Sequence, residues 1–281
     1  MAIEAVAPSA TRSLERDGFV LMPDVLSADR LLGLIDAVHR VWWRHRDEPP
    51  TLGAPALHLL GFLREDPRFF ELLDLSCVLE LIVELLGPNI FMYHCHLDVH
   101  PPESMDPSIW RWHQDGGVQN RDLETDPRPR LSLKVAYFLS DVAEPGRGNF
   151  MVVPGSHRWN RLERPPDGHE VPGAMPILAA PGDAVVFDRR LWHMRSPNRS
   201  AITRKALFYA YSYRWVRARD DLRLSAAILS GLSPVHRQLV GLVEDPIEGW
   251  MPDQVTLPVR DAFSRERVPR PSARPTRPAR R

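Results

Sequence analysis

Lysine is almost absent from this chain. Of its 36 basic side chains only Lys134 and Lys205 are lysine; the rest are arginine, a bias of composition that leaves both lysines worth following. Cysteine is nearly as scarce, with Cys77 and Cys95 alone. That excludes a disulfide framework and makes a reducing, cytoplasmic setting the expectation. Net charge is missing too, since 36 acidic groups cancel the 36 basic ones. Neither nucleic acid nor an anionic membrane is therefore expected as a partner. Long apolar runs are also lacking. The most apolar stretch, 78–86, contains Glu80 and Glu84 and is too short to cross a bilayer. Glu4, Glu15 and Arg16 interrupt the N-terminus, which does not read as a signal peptide. Monomer and homodimer both stay open.

What is present is enough for one large domain: 281 residues, 43% hydrophobic. Residues 12–19 read as a short helix leading into a strand at 18–22, stopped by Pro23. Ser27 opens a second helix, with Leu31, Leu32, Leu34, Ile35 and Val38 at helical spacing to about residue 46. A Pro/Gly-rich connector covers 48–55, and a further helical block covers 67–86, ended by Gly87-Pro88. Strands then follow at 90–100, 131–139, 149–153, 177–180, 184–187 and 204–215, separated by Gly/Pro turns. Strands grouped after helices argue for a barrel or sandwich and against an alternating βαβ sheet. The segment 225–261 is mixed, with a helix around 234–243. Seven arginines and four prolines in 265–281 predict a disordered tail, so the expected division is one domain over 1–261 and a tail over 262–281.

The chemistry concentrates at His113 and Asp115, within the run WRWHQDGG from Trp110 to Gly117. In an extended segment, residues i and i+2 face the same side, so one nitrogen and one oxygen can meet a single ion. A distant histidine, His193, could complete a set of two histidines and one carboxylate, the ligand set of a non-haem Fe(II) site with open positions. Gly116-Gly117 permits close approach of backbone or ligand. A hydrogen-bonded pair at a strand end is the plain alternative for His113 and Asp115 alone. A rival lies in the same chain: His94, His96, Asp98 and His100 share one face of the 90–100 strand. They read either as a zinc site or as a polar face lining a cavity.

Taken in order, several segments carry a resemblance. They are Glu15-Arg-Asp-Gly-Phe-Val20, His113-Gln-Asp115, Gly148 through His157, Pro181-Gly-Asp183, His193 with Ser196-Pro-Asn-Arg-Ser200, and Arg204 leading a strand to Trp215. The sequence resembles the phytanoyl-CoA dioxygenase-like family of Fe(II)/2-oxoglutarate-dependent oxygenases from about residue 14 to 261. The resemblance implies a mainly β fold with flanking helices, a double-stranded β-helix (jelly-roll, cupin-like) barrel. It implies Fe(II), 2-oxoglutarate and O₂ as cofactor and co-substrates, with His113, Asp115 and His193 as the catalytic iron ligands. Arg204 matches the position that binds the far carboxylate of 2-oxoglutarate, a task suited to a guanidinium that cannot lose its proton. Arg195 and Arg199 compete for that role. Some relatives carry a hydroxyl two residues after this arginine, where Ala206 stands here, so Thr203 or Ser132 is expected to supply it.

Lys134, in phase with Ser132 and Ala136, would meet the co-substrate if that face points inward. Trp110, Trp112, Gln114, Trp192 and Met194 flank the ligands and are candidates for the substrate wall, although aromatics there also serve as packing. Related halogenases replace the carboxylate with a small residue; Asp115 is retained, so hydroxylation, desaturation or ring formation is expected. The expected substrate is a small molecule, a bacterial natural-product intermediate. Two other readings remain at this stage: a metal-dependent cupin-type hydrolase or isomerase, and a non-catalytic jelly-roll binding protein.

Overall fold

The computed structural model describes residues 8–45, 56–102, 112–163, 171–243 and 257–263. The connector at 48–55 and the Arg/Pro-rich tail lie outside these residues. Helix α1 (Pro8–Asp17) leads through Gly18 into strand β1 (Phe19–Met22), and α2 (Ala28–His45) follows. The expected helical block at 67–86 divides. Two 3₁₀ turns, Phe62–Glu65 and Pro67–Leu72, precede α3 (Ser76–Leu86). The second begins at Asp66, whose side chain accepts from the Arg68 N–H, with Pro67 at the first position. A strand that the sequence did not announce, β2 (Leu57–Leu60), sits between α2 and these turns.

The remaining strands are β3 (Ile90–His100), β4 (Ser132–Phe138), β5 (Phe150–Val152), β6 (Met175–Pro176), β7 (Ala184–Asp188), β8 (His193–Arg195) and β9 (Arg204–Tyr213). Short helices α4 (Val118–Asp122), α5 (Ala226–Ser230), α6 (Pro234–Leu239) and α7 (Pro258–Phe263) complete the described chain. The strand expected at 177–180 is replaced by β6 just before it. Ala179 makes only an isolated bridge to Val142.

Every pairing is antiparallel. The large sheet runs β1-β7-β4-β9-β3-β2 and the small one β6-β5-β8. Alternation along the strands divides the interior in two. Leu133, Val135, Tyr137, Leu207, Tyr209, Tyr211, Cys95, Leu97 and Val99 face the helices and form the main core with α1, α2 and α3. Ala136, Phe138, Val185, Phe187, Ala206 and Phe208 face the small sheet and pack on Phe150 and Val152. Both faces of the central strands are buried, but the second face ends in a polar cavity. Among the described residues, no helix is long and apolar enough to cross a membrane.

Candidate active site

A cavity of roughly 210 Å³ opens between the two sheets. Its wall on β3 carries His94, His96 and Asp98; β9 supplies Arg204 and Phe208, β4 supplies Lys134, and β8 supplies His193, Met194 and Arg195. His113 and Asp115 close it from the loop before α4.

His113 and His193 come together through their backbones. His113 and His193 form an isolated antiparallel bridge, each N–H donating to the other's carbonyl at 3.0 Å. Their rings stand 4.3 Å apart, centre to centre. Asp115 follows on the same side, and its N–H donates to the Arg189 carbonyl at 2.9 Å. The donor atoms of His113, Asp115 and His193 all lie within 4.8 Å of one another. His193 Nδ1 bonds the Leu191 carbonyl at 2.8 Å, which leaves Nε2 directed at the site. That is how a metal-binding imidazole is usually oriented. Arg189 fills the space behind the loop. A Cβ on Gly116 would stand 2.1 Å from the Arg189 Nη1, and Gly116 has φ +118°, so only glycine fits there.

Charge at the site follows from burial and neighbours. Lys134 Nζ reaches both Asp115 oxygens, at 3.2 and 3.1 Å. Burial opposes ionisation of Asp115, but the Lys134 ammonium and the facing imidazoles outweigh it and hold the carboxyl below its usual range. Burial pushes His193 down to about 3, so its imidazole is neutral, the form that binds metal. Two imidazoles and an ionised carboxylate at this separation fit a divalent ion with open positions.

Arg204, 1% exposed, lies at the other end of the cavity, opposite His100 in the β3–β9 register. Its guanidinium is 5.8 Å from the centre of the Phe208 ring, and Lys134 Nζ is also 5.8 Å from it. The two cations thus share one aromatic platform, on which His96 stacks at 4.3 Å. A Cβ on Gly148 would come within 2.9 Å of the Arg204 Cδ, so glycine there admits the arginine. Lys134 therefore points inward. Arg195 lines the cavity as well, whereas Arg199 is exposed.

Other expected residues fall elsewhere. Ser132 pairs with Ser212, eight residues along β9 from Arg204, or roughly 26 Å of strand. It bonds the Tyr93 hydroxyl and does not supply the missing hydroxyl near Arg204. Thr203 is not among the cavity-lining residues, being one position out of phase with Arg204. Gln114 is buried and tied to the Trp159 and Arg190 carbonyls and to Arg128, a bracing role away from the cavity. Trp192 donates its Nε1 to the Trp159 carbonyl, and neither it nor Trp112 lines the cavity. Met194 does. Trp110 lies outside the described residues.

Of the rival set on β3, His94, His96 and Asp98 line this same cavity, and His100 is not among its lining residues. His58 on β2, which sequence reasoning missed, bonds Asp98 at 2.7 Å, and His58, His96 and Asp98 form a second group with metal-ligand spacing. Arg204 Nη1 stands 3.7 Å from Asp98 and His100 Nε2 is equally close, so this carboxylate already has several cationic or imidazole neighbours. Its carboxyl is held well below the ordinary range, despite burial, by His96, His100 and His58. Arg219 and Asp220 were missed too. They belong to an irregular segment without periodicity.

Two antiparallel sheets enclosing a two-histidine, one-carboxylate triad define the double-stranded β-helix class of non-haem metal oxygenases. The chain belongs to the phytanoyl-CoA dioxygenase (PhyH) family, whose family model matches residues 14–206, and is an Fe(II)/2-oxoglutarate-type dioxygenase. Among curated relatives, dioxygenase af480 of Aspergillus fumigatus is 27% identical, covering 84% of this chain and 82% of its own length. Dioxygenase cdmD of Talaromyces verruculosus is 28% identical over 135 residues, and the match spans only 43% of that protein and 46% of this one. Among solved structures, EctD from S. alaskensis with 2-oxoglutarate and 5-hydroxyectoine aligns with a TM-score of 0.62 at 20% identity, covering 78% of this chain and 80% of its own. SnoK, a non-heme alpha ketoglutarate dependent carbocyclase from nogalamycin biosynthesis, aligns with a TM-score of 0.57 at 20% identity, covering 81% and 91%.

Proposed function

We propose that this dioxygenase binds Fe(II) through His113, Asp115 and His193, binds 2-oxoglutarate with Arg204, and oxidises an unactivated C–H bond of a small molecule. The observation that carries this reading is the reciprocal backbone bridge between His113 and His193. It draws three donors from two distant segments onto one side of a cavity whose far end holds a buried arginine. Fe(II), with 2-oxoglutarate and O₂, supplies the oxidising power to take hydrogen from an unactivated carbon.

This chain's own residues hold and orient. His113 and His193 offer ring nitrogens, and Asp115 offers a carboxylate that Lys134 helps to keep ionised. Arg204 presents a planar fork to the distal carboxylate of the co-substrate, in a pocket where a charge-assisted pair is strong. Phe208, flanked by both cations, gives the co-substrate's carbon chain an apolar floor. Phe150 and Phe187, both against His193, keep water from that side of the ligand.

Hydroxylation is the base outcome, with desaturation or ring closure available from the same hydrogen removal; SnoK, a carbocyclase, has this fold. A natural-product intermediate is the preferred substrate type, in line with the nogalamycin context of SnoK. A single domain over residues 1–261 is the working division of the chain. The test is a metabolite screen that follows substrate-dependent succinate formation with Fe(II) under air. Succinate formation that tracks one substrate and disappears in Asp115→Ala supports the reading; product formation under anaerobic conditions without 2-oxoglutarate contradicts it.

A further inference from the structure

We infer that the primary substrate carries an oxyanion, a carboxylate or phosphate ester, and that Arg219 at the cavity wall binds it; this rests on the oxygenase reading of the site above.

Arg219 sits in an irregular segment that the structure pins to β3 from both sides. Its backbone N–H donates to the Tyr93 carbonyl at 2.8 Å. The next residue, Asp220, uses both carboxylate oxygens on β3: one meets His94 Nδ1 at 2.8 Å, and the other accepts the Cys95 N–H at 2.7 Å. Asp220 is therefore committed to β3 and does not pair with its neighbour. The Arg219 side chain is exposed and stands at the cavity rim, where its guanidinium meets His94 Nε2 at 3.4 Å. Among the described residues no carboxylate lies within ion-pair distance of it. Two anchors thus hold the backbone and keep the charged end at the cavity rim.

The charge inventory of the wall agrees. Lys134, Arg195, Arg204 and Arg219 line the cavity against only Asp98 and Asp115. His94 and His96 add no charge, because burial favours their neutral forms. A divalent metal and a doubly charged co-substrate carry equal and opposite charge, so the wall keeps its positive balance when both are bound. A hydrocarbon would offer the Arg219 guanidinium no acceptor. A site built around polar groups strongly rejects analogues that lack the matching group. His94 positions the arginine: its Nδ1 donates to Asp220, and its Nε2 accepts from Arg219 and meets His96 Nδ1 at 3.2 Å.

The experiment pairs charged and uncharged versions of the same scaffolds. Iron-loaded wild type, Arg219→Ala and Arg219→Lys are screened with 2-oxoglutarate under air against carboxylic acids, their methyl esters and amides, phosphate monoesters and the parent alcohols. The expected hits carry an oxyanion, and the uncharged partner of each loses roughly 10- to 100-fold in kcat/KM. Acid and phosphate arms identify which oxyanion is used. In Arg219→Ala the charged substrate falls to the level of its uncharged partner, mainly through KM, and Arg219→Lys recovers part of the loss. Independently of turnover, the preferred anion should raise the melting temperature of the metal-free wild type and not that of Arg219→Ala. An uncharged compound preferred over its acid, or an acid preference unchanged in Arg219→Ala, overturns the inference. Iron-dependent consumption of 2-oxoglutarate without substrate, lost in Asp115→Ala, reports on the oxygenase reading alone, so the two failures are distinguishable.

Discussion

His113 and His193 hold one another through paired backbone hydrogen bonds of 3.0 Å in each direction. Eighty residues of chain close on that bridge, which joins the loop carrying Asp115 to the edge of the small sheet. The geometry of the proposed metal site is thus built into the backbone, and each of its three side chains would need only a rotamer to reach an ion. Preorganisation of this kind holds a site to the tolerance that catalysis requires.

Loss of a ligand should be decisive. His113→Ala and Asp115→Ala are expected to reduce 2-oxoglutarate turnover to background while the protein keeps its circular dichroism spectrum, because the backbone bridge survives both changes. Measured turnover near wild type in either variant would contradict the ligand assignment.

Gly116→Ala tests the loop behind the ligands. The added Cβ would meet Arg189 Nη1 at 2.1 Å, at a φ of +118° that side chains other than glycine rarely adopt. A penalty of about 1–3 kcal/mol is expected, read as a lower melting temperature, together with weaker iron retention because Asp115 is displaced. A variant with wild-type melting and metal content would show that the loop tolerates a side chain.

Arg204→Ala should act on the co-substrate. Removing a buried charge-assisted pair costs about 1.5–3 kcal/mol, so the apparent KM for 2-oxoglutarate is expected to rise roughly 10- to 100-fold. Iron binding should be unchanged. Arg204→Lys should recover little, because a single ammonium does not reproduce the guanidinium fork. An unaltered KM would move the role to Arg195.

Acidification should destabilise the metal-free protein. Burial holds His94, His96 and His100 below the ordinary imidazole value, so the fold favours their neutral forms. The unfolded chain takes up protons as pH falls below about 6.5. These histidines therefore contribute stability that is full above that pH and is lost below it. Asp98, also depressed, adds a loss that begins only below the unfolded carboxylate value, near 3.9. Calorimetric melting temperatures should fall between pH 7.5 and 5, with a flatter profile in His96→Asn. A melting temperature that rises on acidification would be inconsistent with neutral buried imidazoles.

Much of this arrangement is legible in the sequence, for identifiable reasons. The strand at 90–100 is an eleven-residue run bounded by Gly87-Pro88 and Pro101-Pro102, and β3 occupies those residues. The phase of Lys134 with Ala136 and Ser132 assigned a common face, and that face lines the cavity at Lys134. Phase fixes a face but not a position along it, which is why Ser132 lies far from Arg204 although both share the interior side. The short strands β2 and β8 are too brief to show alternation. His58 meets Asp98 only through the β2–β3 register, a tertiary relation with no local signal. Arg219 reaches the cavity, and Asp220 bonds His94, from an irregular segment where periodicity offers nothing to read.

The central claim is that His113, Asp115 and His193 hold Fe(II) and that 2-oxoglutarate joins it in the cavity ended by Arg204. Anaerobic calorimetry of 2-oxoglutarate binding, with and without one equivalent of Fe(II), tests it most directly. The account predicts tight one-to-one binding that requires the iron, is lost in His193→Ala and is weakened in Arg204→Ala. Equal affinity with and without iron, or full iron-dependent binding in His193→Ala, would contradict it.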